Sequence, residues 1–228
     1  MALLIFAVLS LLVAGELQAG VVVGGTRFIF PADRESISIL LTNTSQESWL
    51  INSKINRPTR WAGGASTVPA PLLAAPPLIL LKPGTTGTLR LLRTESDILP
   101  VDRETLFELS IASVPSGKVE NQSVKVAMRS VFKLFWRPEG LPGDPLEAYQ
   151  QLRWTRNSQG VQLTNPTPYY INLIQVSVNG KALSNVGVVP PKSQRQTSWC
   201  QAIAPCHVAW RAINDYGGLS AKKEQNLP

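Results

Sequence analysis

Histidine occurs once in this chain, at His207, and cysteine only twice, at Cys200 and Cys206. A single histidine leaves no second imidazole for a metal site, and no ligand pair with metal spacing accompanies it. It also leaves one base for any Ser–His–acid arrangement, with no G-x-S-x-G turn to present the nucleophile. Paired acidic motifs of the hydrolase kind are missing as well. No catalytic residue is assigned, no cofactor or metal is expected, and His207 reads as an ordinary strand residue. Long apolar runs are scarce too. Ala2 to Ala14 is apolar apart from Ser10, short of the roughly 20 residues that a membrane helix needs, so stable membrane insertion is not expected. A sustained helical period, internal repeats and low-complexity tracts are also missing.

What is present points to export and to many short strands. The apolar run followed by Leu17-Gln18-Ala19 before Gly20 has the form of a secretory signal over residues 1–19, although no Lys or Arg precedes it. Export predicts a periplasmic protein beginning at Gly20. The net charge of +7 comes from Lys and Arg that are dispersed rather than clustered, and an exported chain rarely meets nucleic acid, so no nucleic-acid partner is expected. In an oxidising compartment Cys200 and Cys206 most simply form a disulfide closing a small loop.

Hydrophobic residues make up 44% of the 228, and 18 Pro and 16 Gly are spread between apolar runs. That is enough apolar content for a packed fold, broken at turn intervals. Runs rich in β-branched and aromatic residues recur from Val21 to Trp136, among them Arg27-Phe28-Ile29-Phe30-Pro31 and the alternating Ser36-Ile37-Ser38-Ile39-Leu40-Leu41. About seven strands over this length predict an immunoglobulin-like sandwich. Pro138-Glu139-Gly140-Leu141-Pro142-Gly143-Asp144-Pro145 cannot continue a central strand and reads as a linker. Beyond it a second all-β set is expected, with Asn179-Gly180 as a hairpin turn and one helical turn near Leu146–Gln151. The division is therefore 1–19 signal, 20–138 N-terminal domain, 139–145 linker and 146–228 C-terminal domain.

The long segment from Val124 to Pro138 carries the functional signal. Val124, Val126 and Met128 share one strand face by alternation. Lys133-Leu134-Phe135-Trp136-Arg137-Pro138 resembles the K-L-F-Y-R-P run of periplasmic pilus-assembly chaperones of the PapD type. Leu99-Pro100-Val101-Asp102-Arg103-Glu104-Thr105-Leu106-Phe107 is similar to that family's L-P-x-D-R-E-S-L-F signature, and Thr26-Arg27-Phe28-Ile29-Phe30 to its T-R-V-I-F start. Pro76-Pro77-Leu78, Leu81-Lys82-Pro83-Gly84 and Ile213-Asn214-Asp215-Tyr216-Gly217-Gly218 resemble two more of its motifs, all in register. The chain departs from the pattern at Glu108, where the family usually has an aromatic residue, and at Ser110, where Asn is common.

The resemblance implies two immunoglobulin-like β-sandwich domains in an L, and a non-enzymatic chaperone of pilus (fimbrial) subunits that delivers them to an outer-membrane usher. It implies that Val124, Val126 and Met128 are lent to a subunit lacking its last strand, and that Arg27 and Lys133 grip the subunit's terminal carboxylate. It places Arg90, Glu104, Arg137 and Asp215 in an ionic network between the domains. Alternation sets Lys133 on the face opposite Met128, which requires either that it addresses the cleft or that a bulge intervenes. The competing reading is a surface adhesin or fibre subunit with immunoglobulin-like domains; such a subunit needs an N-terminal donor extension, and Arg27 follows only seven expected mature residues, Gly20 to Thr26.

Overall fold

The computed structural model describes residues 20–59, 69–94, 99–117, 125–184, 186–201 and 205–228. The signal-peptide expectation for 1–19 and the donor position Val124 fall outside them.

The first domain is two antiparallel-dominated sheets face to face. One has the order β1 (Val21–Val23), β3 (Ser36–Asn43), β7 (Thr86–Arg93) and β5 (Leu72–Ala75); the other has β2 (Arg27–Pro31), β9 (Met128–Arg137), β8 (Thr105–Pro115), β4 (Trp49–Asn56) and β6 (Leu78–Leu81). Alternate residues turn inward from both sheets, as a sandwich demands. Ile39, Leu41, Leu89 and Leu91 meet Phe30, Ile51, Phe107, Leu109 and Leu134 in one buried cluster.

A strand switch at the start of this domain sets the surroundings of β9. β1 pairs with β3, and two glycines later β2 joins the opposite sheet, running parallel to β9 from Arg27↔Lys133 to Pro31↔Arg137. β9 pairs with β8 over nearly its whole length, from Met128↔Ser113 to Trp136↔Thr105. Among the described residues, Met128–Phe132 therefore have a partner strand on one edge only. An unpaired edge of this kind is a template for another chain.

The second domain repeats the architecture in smaller form. A sheet of β10 (Arg153–Asn157), β11 (Gly160–Asn165) and β15 (Ser193–Thr197) faces one of β13 (Lys181–Ala182), β12 (Ile171–Val178), β16 (Cys206–Ile213) and β17 (Lys223–Leu227), with β14 (Val188–Val189) also paired to β12. Trp154, Leu163, Val176, Val208 and Trp210 form its core. Trp154 stacks on Trp199 and tilts against Trp210, with centroids 6.0 and 5.2 Å away. Cys200 and Cys206 are joined by a disulfide.

Several elements differ from the sequence reading. The long β9 starts at Met128 rather than Val124, and the helical turn is a single 3₁₀ turn at Ala148–Gln151. β5 and β17 had no sequence signal: Leu-Leu-Ala-Ala is poor in β-branched residues, and Lys-Glu-Gln-Asn-Leu is polar at four of five positions. Both are strands because a neighbour's ladder needs pairing, which propensity does not register. The Pro/Gly connection, for its part, is tied down: Tyr169 donates its hydroxyl to the Leu141 and Gly143 carbonyls at 3.2 and 3.0 Å, and Leu141 packs on the second core.

Candidate functional site

Because β9 pairs with β8 without any shift of register, no bulge interrupts its alternation. Phe132, Leu134 and Trp136 face the first core, so Lys133 and Phe135 face the other way, toward the second domain. That settles the alternative left open by the sequence. Parallel pairing with β2 puts Arg27 directly beside Lys133 on this same face, and β8 puts Glu108 beside it on the other flank.

The row Arg27–Lys133–Glu108 crosses three strands. Lys133 is half-buried; burial first, and the neighbouring Arg27 charge second, push its ammonium below the usual lysine range. A lysine so shifted favours an anion close by. Glu108 is buried at 5% exposure and accepts from the Thr59 N–H at 2.7 Å and from the Thr59 hydroxyl. Sequence reasoning marked Glu108 only as a departure from a family pattern. Its place beside Lys133 is a consequence of register, which a single sequence does not reveal.

Arg27 reaches across to the second domain. Its Nη1 donates to the Ile213 and Asn214 carbonyls at 2.5 and 3.0 Å, and its guanidinium lies 4.7 Å from the Phe135 ring centroid, a cation–π contact. Phe135 in turn packs on Tyr170 at 5.5 Å. The contact between domains thus runs through the same side chain for which the family resemblance implies ligand binding.

Beside this row lies an ionic cluster. Arg137 contacts Glu104 Oε1 through both Nε and Nη2 at 2.7 Å, and its Nη1 meets Asp215 Oδ2 at 2.7 Å. Glu104 Oε2 accepts from the Tyr170 N–H at 2.7 Å, and the Glu104 N–H donates to the Pro168 carbonyl. Burial pushes the Glu104 carboxyl above the usual carboxylate range, with Arg137 pulling the opposite way. Three of the four residues expected in this network are together. Arg90 is not among them: it is an exposed residue on the outer face of β7, in the other sheet, where it donates to the Ser36 hydroxyl at 2.9 Å. Alternation decides this, since Leu89 and Leu91 take the core face and turn Arg90 to solvent. A further bridge between the domains escaped the sequence reading: Lys192 meets Asp102 at 2.6 Å.

At the open-edged end of β9, Met128 on the opposite face is 64% exposed, and Val126, two residues before the strand, is 63% exposed. Two large apolar side chains beside a backbone edge with no second partner strand among the described residues make a surface suited to strand addition. Among the described residues no group of His, Cys, Asp and Glu could hold a metal ion.

With this geometry in place, comparison with known proteins is direct. The N-terminal domain model of pili and flagellar-assembly chaperones, PapD, matches residues 20–142, and the C-terminal domain model of PapD pili assembly chaperones matches 147–224. The chain is 99% identical over 229 residues to the fimbrial chaperone YcbF of Escherichia coli (strain K12), covering 100% of this chain and 97% of that one. It is 33% identical to the chaperone protein FimC of the same strain, over 94% of this chain and 87% of FimC. Among solved structures, the YadV chaperone matches at 30% identity with a TM-score of 0.75, covering 92% of this chain and 100% of that one. A Salmonella enterica complex of the SafA pilin with the SafB chaperone matches at 30% identity and a TM-score of 0.77, covering 93 and 98%.

Proposed function

The chain belongs to the PapD-type pili assembly chaperone family, and from that premise we propose that it is a periplasmic, non-enzymatic chaperone that caps pilus subunits by lending them a strand and passes them to an outer-membrane usher. The observation that carries the reading is the half-open β9. Its Met128–Phe132 edge lacks a second described partner strand, while Val126 and Met128 stand exposed beside it.

A subunit whose sandwich lacks its final strand exposes an apolar groove and two unpaired edges. Addition of β9 gives the groove alternating apolar side chains and gives the edge backbone hydrogen bonds. Burying Val126 and Met128 contributes roughly 1.5–3 kcal/mol each. Parity then sends Lys133, five residues on from Met128, to the cleft side with Arg27. A subunit whose last residue ends there meets two cations, and a carboxylate can take charge-assisted hydrogen bonds from both. The carboxylate thereby fixes the register at which the donated strand is read. The ion cluster of Glu104, Arg137 and Asp215 holds the second domain at the angle that closes the cleft. The pairing of a SafA pilin with the similar SafB chaperone supports the partner class. The signal-like form of the apolar N-terminal segment supports the compartment.

Co-expression with a pilus subunit, followed by recovery from the periplasm, tests the proposal. Wild type is expected to co-purify with the subunit, and Val126→Asp/Met128→Asp to lose it while remaining folded. Equal recovery by both chains overturns the strand-lending role.

A further inference from the structure

Among the described residues, the hydrogen-bond acceptors of Arg27 are all neutral. Two are the backbone carbonyls of Ile213 and Asn214. The third is Asn172, 5% exposed on β12. With its amide oxygen toward the guanidinium, Asn172 accepts from Nη2 at 2.7 Å and from Nη1 at 3.2 Å; the reverse orientation would set its N–H₂ group against those donors. The nearby carboxylates, Glu104 and Asp215, are both engaged by Arg137. Arg27 Nε is buried with no hydrogen-bond partner among the described residues, and the Arg27 side chain lines a small cavity with Tyr149, Tyr170, Asn172 and Ser220.

An acceptor dipole orients a guanidinium; it does not cancel its charge. A carboxylate at position 172 would do both, since aspartate has nearly the shape of asparagine, with an oxygen in place of the amide NH₂, and would offer Arg27 a permanent charged partner. We propose that Asn172 is a positioning residue for subunit capture: a neutral amide that fixes Arg27 across the domain boundary while leaving its charge for the subunit's terminal carboxylate. The inference rests on the carboxylate-gripping role proposed for Arg27 and Lys133. It explains why a buried polar side chain, rather than an acid or an apolar residue, stands at the point where β12 meets the guanidinium. Asn172 touches no ligand; it acts through Arg27.

The test uses the full chain and a short alternating apolar–polar peptide with a free C-terminal carboxylate, beside the same peptide ending in an amide. Wild type is expected to prefer the acid. N172D is expected to melt at or above the wild-type temperature and to lose about tenfold or more of that preference, equivalent to about 1.4 kcal/mol. N172L removes the acceptor but adds no charge, so its acid preference is expected to lie between the two. A wild type that discriminates alongside an N172D that discriminates equally overturns the role of Asn172 alone. So does an N172L below N172D, or an N172D that melts far below wild type, because the position would then serve packing. A wild type that treats acid and amide alike overturns the cleft reading and this inference with it.

Discussion

Replacing Arg137 by Met removes the hub of the contact between the domains, and the structure sets how much that costs. Arg137 holds Glu104 through two nitrogens at 2.7 Å and Asp215 through a third. The Glu104 side chain is 2% exposed, so it cannot rehydrate, and its remaining described contact would be the Tyr170 N–H. Leaving one member of a buried pair alone costs about 3–5 kcal/mol. The Asp215 side chain, at 18% exposure, recovers some hydration, which favours the lower end. For a chain of this size that corresponds to a melting-temperature loss of roughly 10 °C, read by thermal and urea unfolding at pH 7. The loss is also pH-dependent, with a sign fixed by Glu104. Its carboxyl already titrates above the ordinary 4.5 because burial outweighs Arg137. A group that binds its proton more tightly folded than unfolded costs stability as pH rises through that interval. Without Arg137 the interval widens upward, so the R137M deficit should shrink on acidification from about pH 7 toward 5. The double variant Glu104→Leu/Arg137→Met, which leaves no buried charge at 104, should regain most of the loss. An R137M chain as stable as wild type at pH 7, or a deficit that is the same at both pH values, would refute the reasoning.

Three other outcomes are expected from the same geometry. Arg27→Ala and Lys133→Ala should both abolish subunit recovery, and Arg27→Ala should also lower stability, by about 1–3 kcal/mol, because it strips hydrogen bonds from Ile213 and Asn214; an Arg27→Ala chain that melts with wild type would contradict the bridging role. Replacing Cys200 and Cys206 by Ser should cost about 2 kcal/mol, given the short loop that the bond closes, without loss of subunit binding; free thiols titrated in the native exported protein would remove the basis for this. Gly160→Ala should be costly, since its φ is +121° and a Cβ there would lie 2.3 Å from the Thr197 carbonyl; backbone strain alone is about 1–3 kcal/mol, and an unchanged denaturation midpoint would count against the tight β11–β15 approach.

The sequence by itself determined the fold class, because alternation of period two and turn residues at short intervals are local properties. β2 was readable to the residue for that reason. It also determined which residues could carry function, since Arg27, Lys133, Glu104, Arg137 and Asp215 lie inside recognisable motifs. Leu134-Phe135-Trp136 held a further clue: consecutive apolar residues mean that both faces of the strand are covered, and Phe135 is fully buried, packed against Tyr170 of the second domain. What only the tertiary structure decided are relations between strands far apart in the chain. Register set Glu108 beside Lys133, and the switch of β1 and β2 between sheets left half of β9 without a second partner strand among the described residues. Alternation within β7 turned Arg90 away from the cluster it was expected to join. Packing of two domains made Arg27 and Asn172 partners although they lie far apart in the chain. Pairing of this kind depends on which edge finds which neighbour, a choice made by the free energy of the whole chain rather than by any local run of residues.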